Sequence, residues 1–318
     1  MNKKPLAVVA FGGNALIDDN AHCSIQDQYQ TVTNNVGYLV DLIARGWDLV
    51  LTHGNGPQVG FILRRSELAA HEVDPVPVDY AVGDTQGAIG YMFQKALCNE
   101  LQRRGLTRPV VTLVTQTQVD PRDPAFQTPN KPIGSFMDKA TAEKYAAELD
   151  WHIMEDAGRG WRRCVASPSP QEIIEIDSIK TLLGCGSLVI AGGGGGIPVE
   201  RNENGDLVGV EAVIDKDVAS ALLAKELQAD MLIIPTGVEK VAINFGTPEQ
   251  QWLDQLTPSD AKALGEQGQF GEGSMKPKVD ALLQFLDGNP AGAGVITKAS
   301  TLIQAIDGTT GTWIRNNH

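Results

Sequence analysis

Lys216 and Lys278 stand at or near the predicted starts of two helices, an unfavourable place for a positive charge. In "VIDKDVASALLAKEL" Lys216 lies between Asp215 and Asp217, while Lys278 belongs to "GSMKPKVDALLQFL". A cation at a helix N-terminus opposes the macrodipole and costs about 0.3–1 kcal/mol when exposed. An anion bound between the lysines and the helix ends would offset that cost; the alternative is two solvated surface lysines. Lysines and a carboxylate together suit phosphoryl transfer, in which the protein mainly positions reactants and neutralises charge.

Other candidate residues each have an ordinary structural interpretation as well. Asp217 either orients the neighbouring lysines or is a simple N-cap. Lys131 lies in a stretch rich in Pro, Gly and charge, from about 120 to 170, which predicts an irregular lid or binding insertion. A lid could bring Lys131 over the site, and otherwise it is a solvated loop lysine. His53 is interpreted as a hydrogen-bonding residue at a strand end, and Trp252 as a packing residue.

Three glycine-rich turns follow predicted strands: "FGGNAL" (11–16), "THGNGPQVG" (52–60) and "AGGGGGIPV" (191–199). In open α/β sheets, ligands bind beyond the carboxyl ends of the strands and near helix N-termini. Backbone without side chains lets a charged group approach main-chain N–H donors closely. A tight turn alone would need one or two glycines, so the run at 192–196 indicates a site for a phosphate or carboxylate.

Composition and missing motifs exclude several classes of protein. The chain contains no Gly-Lys dipeptide, so it has no P-loop, and it has neither a Gly-x-Gly-x-x-Gly nor a Gly-x-Ser-x-Gly match. The formal net charge of -13 disfavours binding to nucleic acid or anionic lipid. No apolar segment approaches membrane-spanning length. The four scattered cysteines predict reduced thiols and a cytoplasmic location, without a disulfide frame or zinc site.

Strand-like and helix-like segments alternate along most of the chain, which predicts a mostly parallel sheet covered by helices on both faces. Strands are predicted at 6–11, 47–52, 109–115, 187–191, 230–235 and 293–298. Helices are predicted at 24–45, 57–72, about 84–104, about 216–228 and 278–287. Ser24 and Asp27 form a predicted capping box at the first helix, and Gly46 fits its end.

Collinear segments along the chain resemble those of carbamate kinases, which have the amino-acid-kinase fold. They are "GGNAL", "THGNGPQVG", "TQGAIGY", "VTQTQVDPRDPAF", "KPIG", "EDAGRGWRR", "ASPSP", "GGGGIPV", "AVIDKDVASALLA", "EKVAINFG" and "GSMKPKV". The resemblance implies an α/β fold, a three-layer α/β/α sandwich with a mostly parallel central sheet and a small protruding subdomain. Residues 1–226 would form the lobe that binds carbamoyl phosphate or carbamate, including the lid at about 120–170, and residues 227–318 the nucleotide lobe.

The resemblance also implies a reaction, in which carbamoyl phosphate and ADP give ATP and carbamate reversibly, in fermentative catabolism of arginine or another carbamoyl-yielding compound. It assigns catalysis to Lys131, Lys216, Asp217 and Lys278; substrate binding to Gly12, Gly13, Asn14, Gly54, Asn55, Gly193, Gly194 and Gly195; and nucleotide binding to Thr236, Val238, Asn244, Met275 and Lys278. Mg²⁺ would accompany ATP or ADP without a dedicated protein site. A cytoplasmic homodimer with small-molecule substrates, and no nucleic-acid or membrane partner, is implied.

Two alternatives stay open within the same fold. One is a kinase for another small carbamoyl or carboxylate acceptor, and the other is a regulatory pseudo-kinase that binds carbamoyl phosphate. Sister kinases of the fold carry lysine where this chain has Ala10, and in carbamate kinases a residue at the position of Lys131 is thought to replace it. The intact set of lysines therefore favours the carbamate kinase branch over acetylglutamate or uridylate kinases and over a pseudo-kinase.

Overall fold

The computed structural model describes residues 4–13, 16–17, 23–156 and 158–316. Its strands are β1 (Leu6–Phe11), β2 (Asp48–His53), β3 (Val110–Thr112), β4 (Gln116–Val119), β5 (Lys131–Met137), β6 (His152–Glu155), β7 (Trp161–Val165), β8 (Pro170–Ile173), β9 (Leu188–Ile190), β10 (Ile197–Arg201), β11 (Leu207–Gly209), β12 (Met231–Pro235), β13 (Val241–Ile243), β14 (Gln251–Leu253), β15 (Gln255–Leu256), β16 (Ala293–Thr297) and β17 (Thr312–Ile314). Its α-helices are α1 (Ile25–Ala44), α2 (Gln58–Ala69), α3 (Val78–Arg103), α4 (Lys139–Leu149), α5 (Ile176–Gly184), α6 (Lys216–Glu226), α7 (Pro258–Glu266), α8 (Lys276–Gly288) and α9 (Leu302–Ile306).

The central sheet has eight strands in the described residues, in the order β15-β17-β16-β12-β1-β2-β9-β3. Every neighbouring pair is parallel except β16 with β17. Strand β1 lies between β2 and β12, and all six of its residues are buried, as expected of a parallel strand covered on both faces. The predicted mostly parallel sheet is confirmed.

Helices cover both faces of this sheet and make it the middle of three layers. Val8 and Ala10 of β1 belong to a core that also contains apolar residues of α5, α6, α7 and α8. Ala7 and Val9, which alternate with them, belong to the opposite core, with apolar residues of α1, α3 and α9. Successive strand residues point to opposite faces, so a continuous apolar run such as Leu6–Phe11 feeds both cores.

The predicted helix signals are accurate at α1 and less so at α3. Ser24 caps α1, with its Oγ 3.1 Å from the Asp27 amide nitrogen, while Asp27 Oδ2 accepts the Ser24 amide at 3.1 Å. The predicted helix at 84–104 begins earlier, at Val78, directly after Pro77. Proline fixes its own φ and cannot continue a helix from the preceding turn, so the helix starts behind it.

Strands and a helix occupy most of residues 131–155 and 161–165, so the prediction of an irregular excursion from about 120 to 170 is wrong for that part of it. Strands β5, β7 and β6 form an antiparallel three-stranded sheet, and α4 packs against it. Asp138 caps α4 by accepting the Thr141 amide at 2.9 Å, and Asp150 ends it with a left-handed φ of 54°. The strands contain only four to seven residues, and Gly134 interrupts β5, so their period-two pattern is too short to read from the sequence. We call β5, α4, β6 and β7 the lid.

A second sheet, β11-β10-β4-β8, connects the lid to the central sheet. The suggested lobe boundary after residue 226 falls between α6 and β12, and the central sheet is continuous across it through the β1–β12 pairing. The division into two lobes stays a prediction. None of the described helices is both long and apolar enough to cross a membrane.

Candidate active site

The charged cluster consists of Lys216, Asp217 and Lys278. Lys216 and Asp217 open α6, and Lys278 lies in the first turn of α8, which packs against α6. One carboxylate oxygen of Asp217 accepts from Lys216 Nζ, and the other lies 3.2 Å from Lys278 Nζ. The two lysines predicted at helix starts therefore meet on a single buried carboxylate.

Burial and charge act against one another in this cluster. Burial alone would raise the pKa of Asp217, but the two lysines together outweigh it and leave that pKa below its usual value. Burial lowers the pKa of Lys216, and Asp217 offsets this only in part while Lys278 adds to it. The lowered pKa of Asp217 favours the charged pair, whereas the lowered pKa of Lys216 opposes it. We take Lys216 as charged, because its Nζ contacts two acceptors, Asp217 and the Ala10 carbonyl at 3.4 Å. An anion bound beside Lys216 would favour its ammonium form further.

Lys216 lies across the first two glycine turns. Its Cε would be 3.9 Å from a Cβ built on Gly12, and its Cδ 3.8 Å from one built on Gly54. The Gly54 amide donates to the Phe11 carbonyl at 2.9 Å, which brings the ends of β1 and β2 together. Gly13 adjoins both, and Asn14 lies outside the described residues. Of the predicted glycines, Gly12 and Gly54 thus lie against the side chain of Lys216, with Gly13 beside them.

Polar side chains buried behind these turns hold the remaining loop in place. Asn55 Nδ2 lies 3.1 Å from Thr85 Oγ1 on α3. Gln86 Nε2 donates to the carbonyls of Thr115, at 3.0 Å, and Gly193, at 2.9 Å. No role is assigned to Thr85 and Gln86 from the sequence, although they begin the quoted segment "TQGAIGY" and are the polar pair on the otherwise apolar buried face of α3.

The glycine run 192–196 is required by the protein's own packing. Gly192, Gly194, Gly195 and Gly196 have φ values of 64°, 67°, 89° and 90°, which favour glycine. Gly193 has an ordinary φ, but a Cβ there would lie 2.5 Å from the His53 ring. At Gly194 it would meet Asn55 Nδ2 at 2.3 Å, and at Gly195 the Ile214 carbonyl at 2.4 Å. The run therefore joins the end of β2 to the segment before α6; its predicted contact with substrate stays a prediction.

Lys131 approaches the cluster from the lid. It is the first residue of β5, and its Nζ lies 3.4 Å from Asp215 Oδ2. Asp215 Oδ1 accepts the Asp217 amide at 2.9 Å and so caps α6. Asp215 was not among the predicted site residues; its place directly before a helix was the signal that could have found it.

A cavity of about 480 Å³ extends from the charged cluster along the carboxyl ends of β1, β12 and β16. This is a usual volume for a small-ligand site. It is lined by Phe11, Gly12, Gly13, Asn35, Pro235, Thr236, Gly237, Val238, Lys240, Ala242, Phe245, Trp252, Gln269, Phe270, Gly271, Ser274, Met275, Lys278 and Ala299. The predicted nucleotide residues Thr236, Val238, Met275 and Lys278 are in this lining.

Asn244 lies outside the cavity lining, and its role in nucleotide binding stays a prediction, whereas the expectation for Trp252 was wrong. Asn244 does not line the cavity; its amide donates to Gln269 Oε1 at 2.9 Å, and its φ is 51°. Trp252 is not a packing residue, since it is 50% exposed and lines the cavity beside Phe245, with the rings 6.4 Å apart. Both aromatics lie on or next to the β13–β14 hairpin, which leaves them outside the main cores.

The carboxylates of the site do not fit a protein-built metal centre. Asp217 is engaged by two lysines, and Asp215 by Lys131 and the amides of α6. Among the residues that the structure describes, no group of three or more His, Cys, Asp or Glu side chains could hold a metal. Mg²⁺ is often bound through substrate phosphates and water rather than by an all-protein cage.

The chain is similar to known proteins over nearly its whole length. A model of the amino acid kinase family matches residues 5–292. Carbamate kinase-like protein YqeA of Escherichia coli (strain K12) is 50% identical over 317 residues, 99% of this chain and 99% of that protein. Carbamate kinase of Thermococcus kodakarensis is 45% identical over 310 residues, 96% and 98% respectively. The structure of carbamate kinase from Giardia lamblia bound to AMP-PNP superposes with a TM-score of 0.94 at 39% identity, over 100% of both chains.

A first prediction concerns Gly196→Ala. The new Cβ would lie 1.9 Å from Thr117 Oγ1, and the alanine would have to adopt the φ of 90° that Gly196 has. We therefore expect the free energy of unfolding to fall by about 2–4 kcal/mol. The matched control is Gly87→Ala in α3, where no atom lies within 4 Å of the new Cβ and stability should rise by about 0.5–1 kcal/mol. Urea unfolding measures both, and equal stabilities would contradict the packing argument.

A second prediction concerns acid stability. Burial lowers the pKa of His53 from 6.5 to about 4, although the hydrogen bond to the Gly54 carbonyl opposes this. The unfolded chain therefore binds the proton more readily than the folded chain. The contribution of His53 to the free energy of unfolding is complete above pH 6.5 and is lost as the pH falls towards 4. Between pH 7 and 4.5, we expect wild type to lose about 2–3 kcal/mol more than His53→Gln.

Urea midpoints across that pH range give the comparison. His152→Gln changes an exposed histidine of β6 and should keep the wild-type slope. If His53→Gln also keeps it, His53 is not the group responsible.

Proposed function

The chain belongs to the amino acid kinase family, and on that premise we propose that it is a carbamate kinase, which transfers a phosphoryl group reversibly between carbamoyl phosphate and ADP. One observation carries the proposal beyond family membership. Lys216 and Lys278 share the buried carboxylate of Asp217, where the glycine turns at 12–13 and 54 adjoin the end of a cavity of about 480 Å³. Such a cluster can neutralise a phosphoryl group in transfer between two bound reactants.

The reaction needs charge neutralisation more than proton transfer. The bond between phosphorus and the carbamate oxygen breaks while a β-phosphate oxygen of ADP forms the new bond to phosphorus. Carbamate leaves as an anion, and no proton has to move. The transition state spreads negative charge over the phosphoryl oxygens, so ammonium groups and main-chain N–H donors are the useful catalysts.

We assign the two ends of the site to the two reactants. ADP would occupy the cavity, with its base near Val238, Met275 and the aromatic pair Phe245 and Trp252, and its phosphates near Lys278. Carbamoyl phosphate would lie over Gly12, Gly13 and Gly54, with Lys216 beside it and Lys131 reaching in from the lid. Asp217 would keep Lys216 and Lys278 at a fixed separation. The glycine run would supply the wall behind Asn55.

Mg²⁺ enters this proposal only with the nucleotide, whose phosphate oxygens are the ligands that it prefers. The carboxylates of the site do not fit a metal centre of their own, so no step is assigned to the ion. A homodimer, a cytoplasmic location and a place in arginine catabolism are further parts of the proposal that rest on the resemblance.

The alternative function is phosphorylation of a small acid other than carbamate. Relatives at 49% and 50% identity are named carbamate kinase-like rather than carbamate kinase, so similarity at this level does not by itself fix the acceptor. His53 and Asn55 fill the space beside the glycine run, which favours a small acceptor. A screen of small acids with ATP would support this alternative if another acid is phosphorylated much faster than carbamate.

The third prediction tests the proposed roles by ATP formation from carbamoyl phosphate and Mg-ADP, read by coupled luminescence against an enzyme-free blank. Because Lys216 and Lys131 would neutralise the phosphoryl group and not the adenosine end, Lys216→Ala and Lys131→Ala should each lower kcat by about 10²–10³-fold. The dissociation constant for ADP, measured by calorimetry, should change by less than about threefold.

Lys276→Ala is the matched control for these variants. Lys276 lies two residues from Lys278 on α8, but its Nζ is 3.0 Å from Asp280 and its side chain does not line the cavity. Its removal should leave turnover near the wild-type value. Near-wild-type turnover in Lys216→Ala and Lys131→Ala would contradict the assigned roles, and an inactive wild type that still binds ADP would favour another acceptor or a regulatory protein.

A further inference from the structure

Asp215 joins two parts of the candidate active site, the start of α6 and the lid, through one carboxylate. Its Oδ1 accepts the backbone amide of Asp217 at 2.9 Å and that of Val218 at 3.4 Å, which fixes the start of α6. Its Oδ2 lies 3.4 Å from Lys131 Nζ, across 84 positions of the chain. The same side chain therefore contacts the helix that carries Lys216 and the lid lysine.

Among the residues that the structure describes, Asp215 is the side chain that pairs with the ammonium group of Lys131. Its backbone is held in β5, where it pairs with Val165 of β7, but its side chain is 43% exposed. A lysine side chain has many rotamers to lose when it is held in one geometry. Asp215 is the acceptor that the structure gives to Lys131 Nζ.

The lid is also docked independently of Lys131. The Val213 amide donates to the Ala166 carbonyl at 3.0 Å, just beyond β7. The guanidinium of Arg163 pairs with Glu211, which precedes the same segment. The lid backbone is thus tied to residues 211–213, while Asp215 contacts the one lid side chain that is assigned a role in the reaction.

We infer that Asp215 is a positioning residue that holds Lys131 over the phosphoryl-transfer site; this inference rests on the proposed function. Asp215 acts through Lys131 and has no chemical step of its own. Because the pair is partly exposed, its attraction is weak enough for Lys131 to transfer its contact to a bound phosphoryl group. The negative charge of Asp215 keeps the ammonium group near the start of α6 until then.

Asp215→Asn separates the two functions of this residue. Asparagine caps helices about as well as aspartate, so α6 should keep its start and the thermal midpoint should stay within about 2 °C of wild type. The charge that holds Lys131 is lost. We expect kcat/KM for carbamoyl phosphate to fall about tenfold, while KM for ADP stays within about twofold.

A double-mutant cycle with Lys131→Ala distinguishes positioning from a structural role. Once Lys131 is gone, Asp215→Asn should cause no further loss of kcat/KM, since two residues that act as one unit are not additive. A second full tenfold loss in the Lys131→Ala background would overturn the inference.

Glu211→Gln is the matched control: it breaks the other lid ion pair but leaves Asp215 and Lys131 in contact. A loss in Glu211→Gln equal to that in Asp215→Asn would also overturn it.

A measurement that does not depend on catalysis tests this inference separately from the proposed function. Acetylation by acetic anhydride, followed by mass spectrometry, reports how available each lysine amine is. Lys131 should react faster in Asp215→Asn than in wild type or Glu211→Gln, whereas Lys139, paired with Glu143 at 3.6 Å, should not change. An unchanged rate at Lys131 would overturn the positioning role even in an active enzyme. If wild type makes no ATP but the acetylation rates differ as expected, only the proposed function fails.

Discussion

The site depends on the ion pairs that the buried carboxylate of Asp217 makes with two lysines. It accepts Lys216 from its own helix and Lys278 from α8, so it fixes two positive charges and the packing of two helix starts together. Removing one partner of a buried ion pair costs about 3–5 kcal/mol in general, because a buried charge is left uncompensated. The cluster has two ammonium groups for one carboxylate, and a bound phosphoryl group would balance the excess. In the proposed function, the same three side chains would therefore contribute both to stability and to neutralising the transferred phosphoryl group.

The glycine run follows from this arrangement. The carboxyl ends of β1 and β2 must approach the start of α6 closely for Lys216 to reach the Ala10 carbonyl and cross Gly12 and Gly54. The segment 192–196 fills the space between those elements, and at 193–196 protein atoms take the places where side chains would be. Five glycines lose much backbone entropy on folding; close approach by His53, Asn55, Ile214 and Thr117 excludes side chains at the last four, and a φ of 64° favours glycine at Gly192.

The parts of the fold and site that could be predicted are those marked by a pattern within a short segment of sequence. The helix starts at Lys216 and Lys278, the capping box at Ser24 and the parallel sheet each depend on residues close together in the chain. The order of the lid was missed because its strands are short and interrupted. Asp215 was missed because an N-cap looks the same whether or not its second oxygen meets a lysine 84 positions away. The exposure of Trp252 depends on where a hairpin docks, which no local pattern determines.

The chemistry of the proposed reaction accounts for the kinds of residue that the site contains. Neither carbamoyl phosphate nor ADP must lose a proton, so a general base would have no task. In the part of the chain that the structure describes, the histidine beside the glycine run is His53; it is buried, its pKa is lowered to about 4, and its ring is hydrogen-bonded to the Gly54 carbonyl at 2.9 Å. His53 is thus suited to supporting a turn and unsuited to exchanging protons near neutral pH. Such a transfer requires positive charge at fixed points, and in the proposed function the lysines at the helix starts and in the lid would supply it.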